Sequence, residues 1–228
     1  MVDVQSEGGV TRIFLNRPEK VNALDSALLS VLLDAINRVA ASPDSWAVVL
    51  GGRGKAFCGG ADVRELSALS AANAGAFVQR IHDVCAALRK LPVPVVARLH
   101  GAVIGAGLEI AAACDLRIAA EGTRFSMPEV RLGIPSVVEA ALLPRLMGSG
   151  RAAWLVLTGE AIDARRAYEW GLVEQIGGDG ELALLLGNLL KCGREALSMQ
   201  KRLLQLWEEA PLAASIEKSI ELFAQSKR

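Results

Sequence analysis

The sequence has no C-x-x-C pair, no dense block of lysine and arginine, no low-complexity linker and no long uncharged apolar run. Its four cysteines, Cys58, Cys85, Cys114 and Cys192, are scattered, which excludes a structural zinc motif and reads as reduced thiols. Twenty-five basic residues balance 25 acidic ones, so neither a nucleic-acid groove nor an anionic membrane surface is expected. Charges such as Arg98 and Glu109 interrupt the best apolar segments before they reach the roughly 18 residues a membrane span needs. The N-terminal stretch MVDVQSEGGVTRIFLN has neither the basic n-region nor the apolar h-region of a secretory signal. These absences lead to the expectation of a soluble, cytoplasmic protein with no metal, nucleic-acid or membrane partner.

What is present is aliphatic and periodic. At 228 residues, 52% hydrophobic and 4% aromatic, the chain is long enough for one large domain, or a domain with an appendage, and buries a core easily. GVTRIFLNR (9 to 17) reads as a strand, and DSALLSVLLDAINRVAAS as a helix. Asp25 or Ser26 is the helix N-cap, and Leu28, Leu29, Leu32, Leu33, Ile36 and Val39 form one buried stripe. SWAVVLGG and VPVVARL read as buried strands, DLRIAAEG as a further strand, and 73 to 90 as a long helix. After Pro128, SVVEAALLPRLMG, GRAAWLVLTG and DARRAYEWGLV read as short helices, with Trp154, Leu155 and Leu157 as core. The chain is expected to be helical throughout from about Glu181. Strands alternating with helices up to about residue 130, then helices, predict an α/β core with a helical tail.

Two glycine-rich loops each follow a predicted buried strand and lead into a predicted helix: GGRGKAFCGGAD (51 to 62) and HGAVIGAG (100 to 107). Glycine permits close backbone approach, and helix N-termini leave amide donors without intrahelical partners, so such junctions suit a negative oxygen. Neither is a good phosphate loop. GAGLEI ends in Ile110, contains Glu109 and lies far from the N-terminal strand, and Gly54-Lys55 lacks the following Ser or Thr. Glu109 is out of place in a small, apolar helix, and an unpaired buried charge is costly. With Glu129, just after a short strand and Pro128, it makes a candidate pair able to hold a water and move a proton to and from a carbon chain. The plain alternatives are a carboxylate at a helix start for Glu109 and a solvated loop residue for Glu129.

The stretches NRPEKVNALD, GRGKAFCGGADVREL, VPVVARLHGAVIGAGLEIAAACDLRIAA and FSMPEVRLGIPS, in this order, resemble the enoyl-CoA hydratase/isomerase (crotonase) family from about residue 8 to about 175. The resemblance implies a crotonase-like spiral of ββα units over 1–180 and a C-terminal helical region, 181–228, used in trimerisation. It implies an acyl-CoA thioester as substrate, no metal or redox cofactor, and a homotrimer or dimer of trimers. It places the thioester-oxygen donors on the amides of Gly59 and Ala106, lines the substrate loop with Gly60, Ala61 and Asp62, and brings the backbone of Ala23 to the CoA adenine. It assigns Glu109 to activating the water and Glu129 to exchanging the proton at the substrate α-carbon. An enoyl-CoA hydratase is therefore expected, with a double-bond isomerase using Glu129 alone, or a non-catalytic acyl-CoA-binding subunit, as the alternatives.

Three features depart from the family pattern. Ala106 stands where many members have glycine. IPSVVEAALLP replaces a more glycine-rich run and introduces Glu139, read here as a solvated or capping helix charge rather than a third catalytic acid. The segment LAASIEKSIELFAQSKR resembles the penultimate helices of the family, after which a further helix is usual. Cys58 and Cys114 are expected to be packing residues, and His100 to shape the second loop.

Overall fold

A computed structural model describes residues 1–225. The chain opens with an antiparallel hairpin, β1 (Val2–Glu7) and β2 (Val10–Leu15). Gly8 and Gly9 form its two-residue turn at φ 57° and 80°, conformations that preserve the twist of the flanking strands. β1 has no counterpart in the sequence expectations: it is largely exposed, and Val2 and Val4 are its only apolar residues.

α1 (Ser26–Ala40) begins where the Asp25 carboxylate accepts the Leu28 N–H at 2.8 Å, and it buries Leu28, Leu29, Leu32, Ile36 and Val39. In chain order there follow β3 (Ala47–Gly52), α2 (Val63–Ala68), α3 (Ala74–Lys90), β4 (Val95–Leu99), β5 (Ala102–Ile104), α4 (Ala106–Ala112), β6 (Leu116–Ala119) and β7 (Arg124–Ser126). Beyond them lie α5 (Leu143–Met147), α6 (Ser149–Thr158), β8 (Ile162–Asp163), α7 (Ala164–Trp170), β9 (Gln175–Ile176), α8 (Asp179–Leu190), α9 (Arg194–Glu209) and α10 (Leu212–Gln225).

One sheet runs β1-β2-β3-β4-β6-β9, parallel after the hairpin, and a second runs β5-β7-β8. Isolated bridges, Leu24 to Ala61 and Cys58 to Val103, extend the second sheet backwards. Each turn of the chain thus adds one strand to the first sheet, a short extended piece to the second, and then a helix, which is a spiral of ββα units. Val48, Leu50, Val95 and Ala97 face the helices inside the spiral, while Val49, Val96 and Ile118 pack under Leu182 and Leu186 of α8. A parallel sheet needs both faces covered, and the continuous valine-rich runs of β3 and β4 reflect this.

The C-terminal part is not one helical run: Gly193 and Pro211 divide it into α8, α9 and α10. α9 is fastened by Lys201, whose buried ammonium pairs with Asp115 at 2.7 Å and donates to the carbonyls of Leu88 and Val93. Leu155 is buried as expected, but Leu157 is 71% exposed, on the opposite side of α6. SVVEAALLPRLMG is also not a single helix. It forms a 3₁₀ turn, Val138–Leu142, followed by α5, with Pro144 in the first turn of α5. Among the described residues no helix is long and apolar enough to cross a membrane.

Candidate active site

The N-terminal motif NRPEKVNALD serves as scaffolding for the first glycine loop. Asn22, fully buried and at a left-handed φ of 55°, donates through Nδ2 to the carbonyls of Arg53, Ala56 and Phe57. Arg17 reaches Asp62 at 2.8 Å, Asp25 at 3.0 Å and the carbonyl of Ala23 at 3.0 Å. The Ala23 N–H is itself bonded to Lys20 O, so both backbone groups of Ala23 are engaged.

This arrangement decides which amides of the first loop are free. The Gly59 N–H, expected to face the substrate, instead donates to Val21 O at 2.8 Å. Two residues on, Ala61 bridges Leu24, and its own N–H has no hydrogen-bond partner among the described residues. Between them Gly60 sits at φ 93°, and any Cβ there would press on the carbonyl oxygen of Ile104, so only glycine lets the two loops close on each other. The Asp62 side chain turns away from the loop cavity to cap α2 through the Arg64 N–H at 2.9 Å. Although burial opposes ionisation, that N–H and the Arg17 guanidinium hold its carboxyl below the ordinary value.

The second loop is tied to the first by His100, whose Nε2 lies 3.0 Å from Gly54 O. α4 starts at Gly105, which has φ 51° and offers no side-chain cap, so the Ala106 N–H is left without a partner among the described residues. The Gly105 position is also sterically reserved. A Cβ there would collide with Oε1 of Glu129, which places the Glu129 carboxylate directly over the start of α4.

Glu109, in the same first turn of α4, is 4% exposed. Burial first, and then the charge of Glu129, push its carboxyl up to about 8, against the stabilising N–H groups of Ala140 and Val137. The Ala140 N–H lies 3.3 Å from Glu109 Oε1, and the Ser136 hydroxyl donates to Glu129 Oε2 at 3.0 Å. The acids therefore share one electrostatic environment, in which Glu109 holds its proton near neutral pH.

Both acids line a cavity of about 200 Å³ with Gly59, Gly60, Ala61, Gly105 and Ala106; its remaining walls, including Phe77, Ile81, Ile104 and Val137, are apolar. Burial pushes the neighbouring Cys58 thiol up to about 12, which fits a packing role. Glu139 is not the solvated or capping charge expected of it: it is buried, and its Oε1 lies 2.8 Å from His82 Nδ1.

A model of the family described as enoyl-CoA hydratase/isomerase matches residues 5–227. The chain belongs to this family. The Syntrophomonas wolfei protein named crotonyl-CoA hydratase is 35% identical over 207 residues, covering 87% of this chain and 78% of its own. The Bacillus subtilis protein YngF is 41% identical over 166 residues, 72% of this chain and just under two thirds (64%) of its own length. A crystal structure of a Mycobacterium smegmatis enoyl-CoA hydratase superposes with a TM-score of 0.96 at 31% identity, covering 99% of this chain and 90% of that one. Likenesses of this closeness establish the crotonase fold.

Of the residues singled out from sequence, the structure brings Glu109, Glu129, Gly59, Gly60, Ala61 and Ala106 to one cavity. Asp62 and Ala23 are not among the residues lining it. Arg17 and Asn22 were legible only as parts of a family-like motif, and their polar type in a tight turn is the signal of scaffolding. The free Ala61 amide and the Ala140 donor left no mark in the sequence, since every residue has a backbone N–H.

Proposed function

We propose that this chain is an enoyl-CoA hydratase that adds water syn across a trans-2-enoyl-CoA to give a 3-hydroxyacyl-CoA without a metal or redox cofactor. The observation carrying this reading is the meeting of two carboxyls, one strongly buried, beside the amides of Ala61 in the first loop and Ala106 at the start of α4, both unpartnered among the described residues. The thioester carbonyl oxygen accepts hydrogen bonds from the N–H groups of Ala61 and Ala106. These donors, fixed before reaction, stabilise the enolate as negative charge develops on that oxygen. Ala61 takes the place first given to Gly59, because the Gly59 amide is spent on Val21 O.

Once the Glu109 proton has passed to Glu129, a water held between the acids loses a proton to Glu109 while its oxygen bonds to the substrate β-carbon. Glu129 delivers a proton to the α-carbon. Both groups act from the same side, hence syn addition, and passage of the proton from Glu109 back to Glu129 restores the starting state. The apolar walls exclude competing water and strengthen each electrostatic contact. The name of the crotonyl-CoA hydratase relative supports the same reaction. An apolar groove of about 670 Å³ along α9 and α10, with Trp207, Leu212, Ile216 and Ile220 in its walls, supports self-assembly into a homotrimer or dimer of trimers.

The deciding experiment follows the loss of enoyl-thioester absorbance over a panel of 2-enoyl-CoAs. Wild type is expected to turn over, and Glu109→Gln and Glu129→Gln each to lose roughly 10²- to 10⁴-fold in rate. CoA-thioester binding without turnover overturns the hydratase reading in favour of a binding subunit. Undiminished turnover of a 3-enoyl-CoA by Glu109→Gln, with no hydration by wild type, overturns it in favour of an isomerase.

A further inference from the structure

Behind Glu109 lies a third carboxyl that the proposed reaction leaves unused. Glu139 is 6% exposed, and its Oε2 is enclosed and accepts no hydrogen bond. An acid with one oxygen unmatched in the interior is destabilising.

Its surroundings connect it to Glu109. Glu139 belongs to the Val138–Leu142 turn, which is entered through Val138 at φ 39°, a strained conformation for a β-branched residue. On one side α3 holds the turn through the 2.8 Å contact of His82 with Glu139. On the other side the next residue presents its N–H to Glu109: Ala140 N is 3.3 Å from Glu109 Oε1, with Val137 O as its second acceptor at 2.9 Å. The titratable groups gathered here are His82 and Cys85 from α3, Glu109 from α4, Cys114 just past its end, and Glu129 beyond them. The Cys85 thiol is raised well above its ordinary value by burial and then by the charges of Glu139 and Glu109, which places it between the two acids' fields.

We propose that Glu139 is a positioning residue for Glu109: clamped by His82, it fixes the turn that presents the Ala140 N–H to Glu109 and sets a negative charge behind that carboxyl. Its effect on turnover rests on the hydratase reading, whereas the contact and the charge do not. Shape and charge act separately. Glu139→Gln keeps the shape and removes the repulsion, so Glu109 releases its proton at lower pH. Glu139→Ala also removes the anchor, so the turn relaxes and Glu109 loses its alignment.

The test uses the full-length protein and two readouts. The first is an infrared difference titration of the Glu109 carboxyl without substrate, assigned by subtracting Glu109→Gln. The second is kcat and KM for a 2-enoyl-CoA across pH. In Glu139→Gln the Glu109 titration and the alkaline fall in kcat are both expected to move down by about one pH unit. Glu139→Ala is expected to lower kcat about 10-fold at an unchanged KM, and to add nothing to Glu109→Gln, because it acts through that residue. An unmoved Glu109 titration in Glu139→Gln overturns the proposal, as does an Ala variant that lowers the residual rate of Glu109→Gln by the same factor. Should Glu139→Ala fail to fold, the Gln variant decides alone. A wild type that hydrates nothing counts against the hydratase reading, and the infrared titration still judges the Glu139 assignment.

Discussion

The two glycine-rich junctions share a sequence signature and part company in structure. At the first, α2 is capped by the Asp62 carboxylate, Arg17 neutralises that carboxylate, and the Gly59 amide is taken by Val21 O. At the second, α4 begins at a glycine with no side-chain cap, the Ala106 amide stays open, and the acid of the first turn, Glu109, is driven into the interior. One junction spends its polar groups on holding itself together and offers the site the amide of Ala61, which has no partner among the described residues. The other leaves the Ala106 amide without a partner among the described residues and a carboxyl, Glu109, in the interior. Unsatisfied donors and a destabilised carboxyl, more than glycine content, mark the half of the site where the chemistry is concentrated.

The largest effect that would break this contrast falls on Gly105. Gly105→Ala drives a methyl group into Glu129 Oε1 at a backbone φ of 51°. Hydration is expected to fall about 10²-fold, because displacing a reacting group by an ångström costs that much. Turnover unchanged within a few-fold would show that Glu129 need not lie over α4.

A second test concerns the buried carboxyl. Glu109 is raised to about 8 in the folded protein against 4.5 in the unfolded chain, so between these values the native state binds more protons. Its contribution to stability therefore falls as pH rises through that window and is level outside it. Chemical denaturation of wild type beside Glu109→Gln is expected to show the variant more stable, by an amount growing from pH 4.5 towards 8 and reaching a few kcal/mol, roughly. Parallel stability curves would remove the strained acid from the comparison.

The smallest effect belongs to the satisfied junction. Asp62→Ala removes the cap of α2 and a partner of Arg17, and is expected to cost about 1–2 kcal/mol of stability, read as a lowered midpoint of denaturation. Once folded, the variant should keep kcat within a few-fold. A large loss of kcat with normal stability would mean that Asp62 serves the substrate after all.

How much was visible beforehand differs by element. The valine-rich runs of β3 and β4 and the apolar stripe of α1 declare themselves, because burial on both faces or on one stripe leaves a periodic trace. The two-residue strands β8 and β9 and the exposed β1 do not, since their pairing comes from neighbours rather than from their own residues. Glu109 was legible through its incongruity. The burial of Glu139 was not, because a glutamate among alanines and leucines reads the same on either face of a turn until α3 brings His82 against it.

By itself the sequence determined the alternation of strands and helices, the two glycine junctions, the family, and the acids that deserved scrutiny. These follow from local preferences and from side-chain chemistry, which each residue carries wherever it lies. Only the tertiary structure decided that Ala61 rather than Gly59 keeps a free amide, that Asp62 caps a helix, and that three carboxyls gather around the start of α4. Backbone donors are alike in every residue, and a carboxyl's proton affinity depends on what surrounds it, so both are set by segments far apart in the chain and brought together by folding.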